Sequence, residues 1–269
     1  MRIGWLSTGR DQAACNLLAD VVARAQQDDI PLDIAAVFCD REPGDAPESD
    51  RFLELVERLG FPLVTLSSAA SWKAAQALGV ERTAWRDEYH RGAMDLLVPY
   101  RLGVLVMAGY MLVVSPAMCR RYALLNLHPA LPGGPTGTWQ EVIWQLLEEG
   151  AAETGAMIHL ATAQLDRGPV VSSCRFPITG ADWAPLWAQL REKRKTMSVA
   201  EIAAAEGESE PLFAEIRRRG EVREIPLLYQ TLCQFAQGKL NTAAGAVFAE
   251  SARLPLDLTE PVEAEVATR

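Results

Sequence analysis

The chain has 269 residues, 49% of them apolar, and its 26 basic and 35 acidic residues leave a formal net charge of −9. That length suits one large domain or two small ones around a sizeable core, and the acidic balance argues against a general nucleic-acid or anionic-membrane surface. No apolar run reaches the length of a membrane span. The scattered cysteines Cys15, Cys39, Cys119, Cys174 and Cys233 show no paired metal spacing, and their odd number without a signal peptide is the expectation for a cytoplasmic protein.

Met1 to Leu6 reads as a first strand, and Ser7-Thr8-Gly9-Arg10-Asp11 turns it into a helix over roughly Gln12 to Ala25. Ala14, Leu17, Leu18, Val21 and Val22 form that helix's apolar stripe. Leu32 to Cys39 is a second strand, Asp40 to Asp50 a charged loop rich in Pro and Gly, Arg51 to Leu59 a helix and Pro62 to Leu66 a short third strand. After a helix from Trp85 to Leu97, Leu102 to Ala108 is near-continuously apolar, as a strand covered on both faces requires. Leu124 to Leu127 ends just before the Pro129 loop. This strand-helix alternation predicts an α/β fold with a mostly parallel sheet between helices. The turn after Leu6 and the loops after Ala108 and Leu127 then share one rim.

Trp139 to Glu149 is a helix closed by Gly150. Met157 to Thr162 and Pro169 to Phe176 predict an antiparallel hairpin carrying Asp166 in its turn. Residues 183–211 read as a helical insertion, in which Arg191, Lys193, Arg194 and Lys195 form a solvated helix face. Phe213 to Gln237 is mostly helical and bent near Pro226. Residues 1–250 are read as a single domain and residues 251–269 as a peripheral tail.

Asn126 and His128, two apart at a strand end, point the same way. Aimed at one carbonyl oxygen, both side chains can stabilise a tetrahedral oxyanion. A carboxylate near His128 would orient it and favour the cation, and Asp166 is the natural candidate. Asp166 can also take a proton from an attacking amine. Ordinary strand packing also accounts for an Asn-x-His pair, and Asp166-Arg167-Gly168 is a good turn signal by itself. His159, between Ile158 and Leu160, suits a pocket wall or the core equally well. Three dispersed histidines without an H-x-x-x-H pair predict no metal site. The loop at Gly9 and Arg10 can receive an anion at the following helix terminus, with Asp11 either opposing it or capping that helix.

Together, Met107-Ala108-Gly109-Tyr110-Met111, Ser115-Pro116, Leu125-Asn126-Leu127-His128-Pro129-Ala130-Leu131, Gly155-Ala156-Met157-Ile158-His159 and Leu165-Asp166-Arg167-Gly168-Pro169-Val170 resemble the folate-dependent formyltransferases, most closely the phosphoribosylglycinamide branch. The resemblance covers roughly Met1 to Gly180 and resumes weakly from Phe213 to about Leu240. It implies a doubly wound formyltransferase core and 10-formyltetrahydrofolate as formyl donor. In that resemblance Asn126 and His128 stabilise the oxyanion, while Asp166 assists proton transfer and positions His128. Met107, Ala108 and Gly109, with Ala161, Thr162 and Leu165, would line the folate pocket. Gly9 and Arg10 stand at the family's phosphate loop, and Glu221 matches a glutamate near the amine acceptor.

The chain departs from the family's S-G-x-G-S-N loop, where it has Thr8-Gly9-Arg10-Asp11-Gln12-Ala13. Leu131-Pro132-Gly133 represents the usual L-L-P, and Met157 stands where the family has Thr. The expectation is therefore formyl transfer to a small-molecule amine, of which phosphoribosylglycinamide is one candidate. Hydrolysis of the same folate, transfer to a sugar amine and a non-catalytic folate-binding role are the alternatives. A tRNA acceptor is disfavoured by the short tail and the acidic charge. No metal, nucleic acid or membrane is expected, and the protein is a monomer or homodimer.

Overall fold

Strand and helix alternate from the first residues onward in the computed structural model, which describes residues 1–164 and 166–268. The elements are β1 (Arg2–Ser7), α1 (Gln12–Gln27), β2 (Asp33–Cys39), α2 (Pro47–Arg58), β3 (Leu63–Thr65), α3 (Ser68–Ala77), α4 (Arg82–Leu97), β4 (Val104–Met107), α5 (Pro116–Arg121) and β5 (Ala123–His128). There follow α6 (Trp139–Glu149), β6 (Glu153–Leu160), β7 (Val170–Pro177), α7 (Ala184–Lys193), α8 (Val199–Glu206), α9 (Pro211–Ala236), β8 (Leu240–Ala243), β9 (Ala246–Ala249), β10 (Leu256–Asp257) and α10 (Thr259–Val266). Eight strands form a mostly parallel sheet of order β10-β7-β6-β5-β4-β1-β2-β3, and β8 and β9 pair separately as an antiparallel hairpin. The α/β reading holds. β6 and β7 run in opposite directions, since Leu160 N donates to the Pro169 carbonyl at one end and Ile178 N to the Ala152 carbonyl at the other.

Several boundaries differ from the sequence expectation, each for a local reason. Helix α2 starts at Pro47 inside the expected loop. Proline suits a first helical turn, and Glu48 and Asp50 favour the positive end of the helix dipole. Helix α3 was not anticipated because it buries no residue and so shows no stripe, although Ser67 caps it. Strand β6 begins four residues before Met157, at Glu153. Gly155 hides that extension, yet the strand needs it, because a Cβ there would run into the Cys174 carbonyl. The β8–β9 turn puts Ala244 and Gly245 at positive φ, so the usual Asn-Gly signal is missing.

The chain divides into two compact units. The first holds Met1–Asn126, His159–Pro169 and Leu232–Leu254. In it β1 pairs in parallel with β2 and β4, and β4 with β5, so the C-terminal ends of β1, β4 and β5 share a rim. Leu6, Phe38, Trp85, Leu105 and Leu124 are at the centre of its core. Strands buried this way read as continuous apolar runs.

The second unit holds Leu127–Ile158, Val170–Thr231 and Pro255–Arg269. Leu190 of α7 and Ile202 of α8 are fully buried there with Ile143, Trp183 and Phe213. The basic run is solvated only in part: Lys193 lies between Glu206 (2.7 Å) and Glu210 (3.1 Å), whereas Arg191, Arg194 and Lys195 are exposed, Arg194 beside Glu148 and Lys195 beside Glu192. Residues 255–266 supply β10, parallel to β7, and α10 with its buried Val262. Arg223 holds Glu263 with two hydrogen bonds of 2.6 and 2.8 Å and lies over the Phe176 ring.

Candidate active site

Register places Met107, at the end of β4, beside Asn126 in β5. Ala161 N, just past β6, donates to the Leu124 carbonyl at 2.8 Å. Between these strand ends in the first unit lies an open pocket. Its wall is Met107 and the segment 110–114, and its polar end is Asn126, His159 and Asp166, with Ala161 and Thr162 beside them.

The polar end is built from three side chains. Asn126 Nδ2 lies 3.1 Å from His159 Nε2. His159 is buried, and its Nδ1 is 3.1 Å from the Leu160 carbonyl. A carbonyl only accepts, so Nδ1 carries the hydrogen and Nε2 accepts from the Asn126 amide. Asp166 Oδ1 is 3.7 Å from the same Nε2. The turn holding Asp166 is tightly specified. Thr162 Oγ1 donates to the Gln164 carbonyl (2.9 Å) and accepts from Gln164 N (3.2 Å). Asp166 sits at φ +53, a left-handed conformation that Asp tolerates better than most residues. A Cβ at Gly168 would collide with the Leu160 carbonyl.

The sequence reading set Asp166 beside His128; the histidine the structure sets beside it is His159. His128 belongs to the second unit and is buried, with Nε2 2.9 Å from the Pro135 carbonyl. Nε2 is therefore a donor. Pro135 belongs to the glycine-rich loop that ends at Thr138, whose capping box with Glu141 starts α6.

Of the residues expected from the resemblance to line a folate pocket, Met107, Ala161 and Thr162 line the pocket described above. Ala108 is buried and its N–H donates to the Leu6 carbonyl, while the Gly109 carbonyl accepts from Thr8 N at 3.0 Å. Leu165 lies outside the described residues. Tyr110 and the run Met111 to Val114 were missed as lining. The apolar run continues past the strand, which was the available signal, and Met111 and Val113 stay exposed despite it.

The amino-terminal loop is occupied by its own contacts. Gly9 N donates to Ser7 Oγ at 3.1 Å, Asp11 caps α1 by accepting from Ala14 N at 3.1 Å, and Arg10 leans on Asp11 at 3.4 Å. Glu221, in the second unit, pairs with Arg217 at 2.6 Å, and the other arm of Arg217 reaches Glu224 at 2.6 Å. Arg217 also lies over the Trp139 ring. Arg217 and Glu224, but not Glu221, line a small second pocket walled by Pro129, Ile143, Phe176 and Ile216. Burial pushes the Glu224 carboxyl up against the opposing pull of Arg217. Among the described residues no cluster of His, Cys, Asp and Glu could hold a metal ion, and no helix is long and apolar enough to cross a membrane.

Residues 13–189 match the family model described as formyl transferase. The phosphoribosylglycinamide formyltransferase of Escherichia coli is 29% identical over 176 residues, 63% of this chain and 66% of its own length, just under two thirds. A crystal structure of glycinamide ribonucleotide transformylase 1 from Symbiobacterium toebii superposes with a TM-score of 0.59 and 25% identity, covering 93% of each chain. A formyltetrahydrofolate deformylase from Pseudomonas syringae pv. tomato shares the fold, with a TM-score of 0.56 and 18% identity over 92% of this chain and 65% of that one.

Proposed function

The chain belongs to the formyl transferase family, and from that premise we propose that it transfers a formyl group from 10-formyltetrahydrofolate to a small-molecule amine in the cytoplasm. The observation that carries this reading is the meeting of Asn126, His159 and Asp166 at the polar end of an otherwise apolar pocket. An open pocket with an apolar wall and few convergent polar groups suits the ring of a folate. Met107, Met111, Leu112 and Val113 would hold its ring, and Ala161 and Thr162 would offer backbone groups. When bound, the donor supplies an activated formyl carbon.

One hydrogen of Asn126 Nδ2 faces His159, and the second is left to point at the formyl oxygen, where negative charge develops in the reaction. His159 keeps the amide in that orientation. Asp166 takes the proton that the attacking amine sheds, directly or through water. No covalent bond to the protein is needed, because positioning an amine beside an activated acyl group is itself a large rate factor.

Phosphoribosylglycinamide is the first acceptor to test, since the relatives are named for it. The Asp11 cap favours a second reading, a phosphate-free acceptor such as a sugar amine. A phosphate at the α1 terminus would meet a carboxylate already bonded to Ala14 N. The test is tetrahydrofolate release from 10-formyltetrahydrofolate with and without each acceptor, with product mass measured. Acceptor-dependent release with a formylated product is expected. Release without acceptor would make the protein a hydrolase, and folate binding without release would make it a folate-binding protein.

A further inference from the structure

Thr8 uses every polar group it has, and all of them cross between the loop after β1 and its neighbours. Its N–H donates to the Gly109 carbonyl at 3.0 Å. Its Oγ1 accepts from Met111 N at 3.0 Å. Its carbonyl accepts from Ser49 Oγ at 3.2 Å, and Ser49 in turn accepts from Arg41 at 2.9 Å. Nearby, the buried Asp40 carboxyl accepts from Ser68 Oγ at 2.9 Å and is pushed up by burial, with Thr8 and Ser68 pulling the other way. Thr8 itself is buried.

Two of those bonds end on Gly109 and Met111, and Met111 and the residue between them, Tyr110, line the pocket at the ends of β4 and β5. A second fastening acts on the same loop: Tyr110 Oη donates to His90 Nε2 at 3.2 Å, whose Nδ1 is fixed by the Arg86 carbonyl at 2.9 Å. Met111 has an exposed side chain, so its place over the pocket depends on the backbone. Valine at residue 8 would keep the Thr8 shape and both main-chain bonds, and would lose only the hydroxyl's bonds.

We infer that Thr8 is a positioning residue whose hydroxyl latches the backbone at Met111 and so sets the wall of the pocket proposed to receive the formyl donor. The folate part of this inference rests on the proposed function; the latch does not. Nothing about Thr8 touches the reacting atoms, so its effect falls on ligand binding.

The experiment compares wild type, Thr8→Val and Thr8→Ser as full chains. Amide hydrogen exchange is followed over residues 107–114, and tetrahydrofolate binding is measured by calorimetry. Thr8→Val should exchange at Met111 about tenfold faster and bind tetrahydrofolate about fivefold more weakly, while Thr8→Ser, which keeps the hydroxyl, stays within about twofold of wild type. Unchanged exchange and affinity in Thr8→Val would overturn the inference. Equal damage in Thr8→Ser would also overturn it, because the methyl group and not the hydroxyl would then matter. Should Thr8→Val fail to fold, Thr8→Ala carries the same expectation. A wild type that binds no tetrahydrofolate would refute the donor reading, and exchange alone would then decide the latch.

Discussion

The amide nitrogen of Asn126 lies 3.1 Å from Nε2 of His159, and that contact fixes which way the Asn126 side chain faces. His159 cannot rotate freely, because its Nδ1 is committed to the Leu160 carbonyl. If Asn126 polarises the formyl oxygen, His159→Ala should lower kcat by about 10- to 100-fold through misplacement of the amide. Tetrahydrofolate affinity should change by less than about threefold. A parallel collapse of affinity and turnover would instead make His159 a wall of the pocket.

Asp166 offers a clean separation of charge from conformation. At φ +53, Asn is tolerated nearly as well as Asp, whereas Ala is strained by roughly 1 kcal/mol. Asp166→Asn should therefore keep its melting temperature and lose about 10²-fold or more in turnover. Asp166→Ala should lose both activity and about 1 kcal/mol of stability. An Asp166→Asn enzyme with wild-type turnover and pH profile would remove Asp166 from the proton path.

His90 predicts an acid-sensitive fold. Burial lowers its pKa from 6.5 to about 4. Between those values the unfolded chain binds a proton on His90 that the folded protein refuses. Its contribution is thus intact above pH 6.5, declines as the pH falls towards 4, and changes no further below that, for a total of about 3 kcal/mol. Urea unfolding from pH 7.5 to 4.5 should show this slope in wild type and a shallower one in His90→Gln, which retains an acceptor for Tyr110. Identical slopes would mean that His90 titrates normally.

Arg217 bonds two glutamates of unequal burial: Glu224 is 21% exposed and Glu221 53%. Removing Arg217 leaves Glu224 largely buried without its cation, so Arg217→Ala should cost about 2–3 kcal/mol. That cost should shrink as the pH falls, because the raised Glu224 carboxyl then accepts a proton. Glu221→Gln, at the exposed arm, should cost less than about 0.5 kcal/mol. In the proposed function its effect falls on the acceptor KM, and denaturant curves with acceptor titrations separate the two.

Much of this was legible because it is local. Thr138 and Gly150 bracket α6 as a capping box and a left-handed cap bracket any helix, and the apolar run ending at Met107 could only be a doubly covered strand. Asn126 and Asp166 stood out through motif order. His159 did not, because an imidazole between Ile158 and Leu160 looks the same in a core and in a pocket. The lining role of Tyr110 to Val114 was obscured for the same reason, since apolar side chains signal burial before they signal a ligand.

By itself the sequence determined the α/β class, the ends of helices such as α6, and the formyl transferase family. These follow from periodicity, capping and motif spacing, which are properties of neighbours along the chain. Only the tertiary structure decided that Asp166 approaches His159 and that Thr8 fastens the loop at Met111. Those contacts join residues up to about a hundred positions apart, and their geometry is set by strand register and by which polar groups the sheet leaves unpaired at its rim.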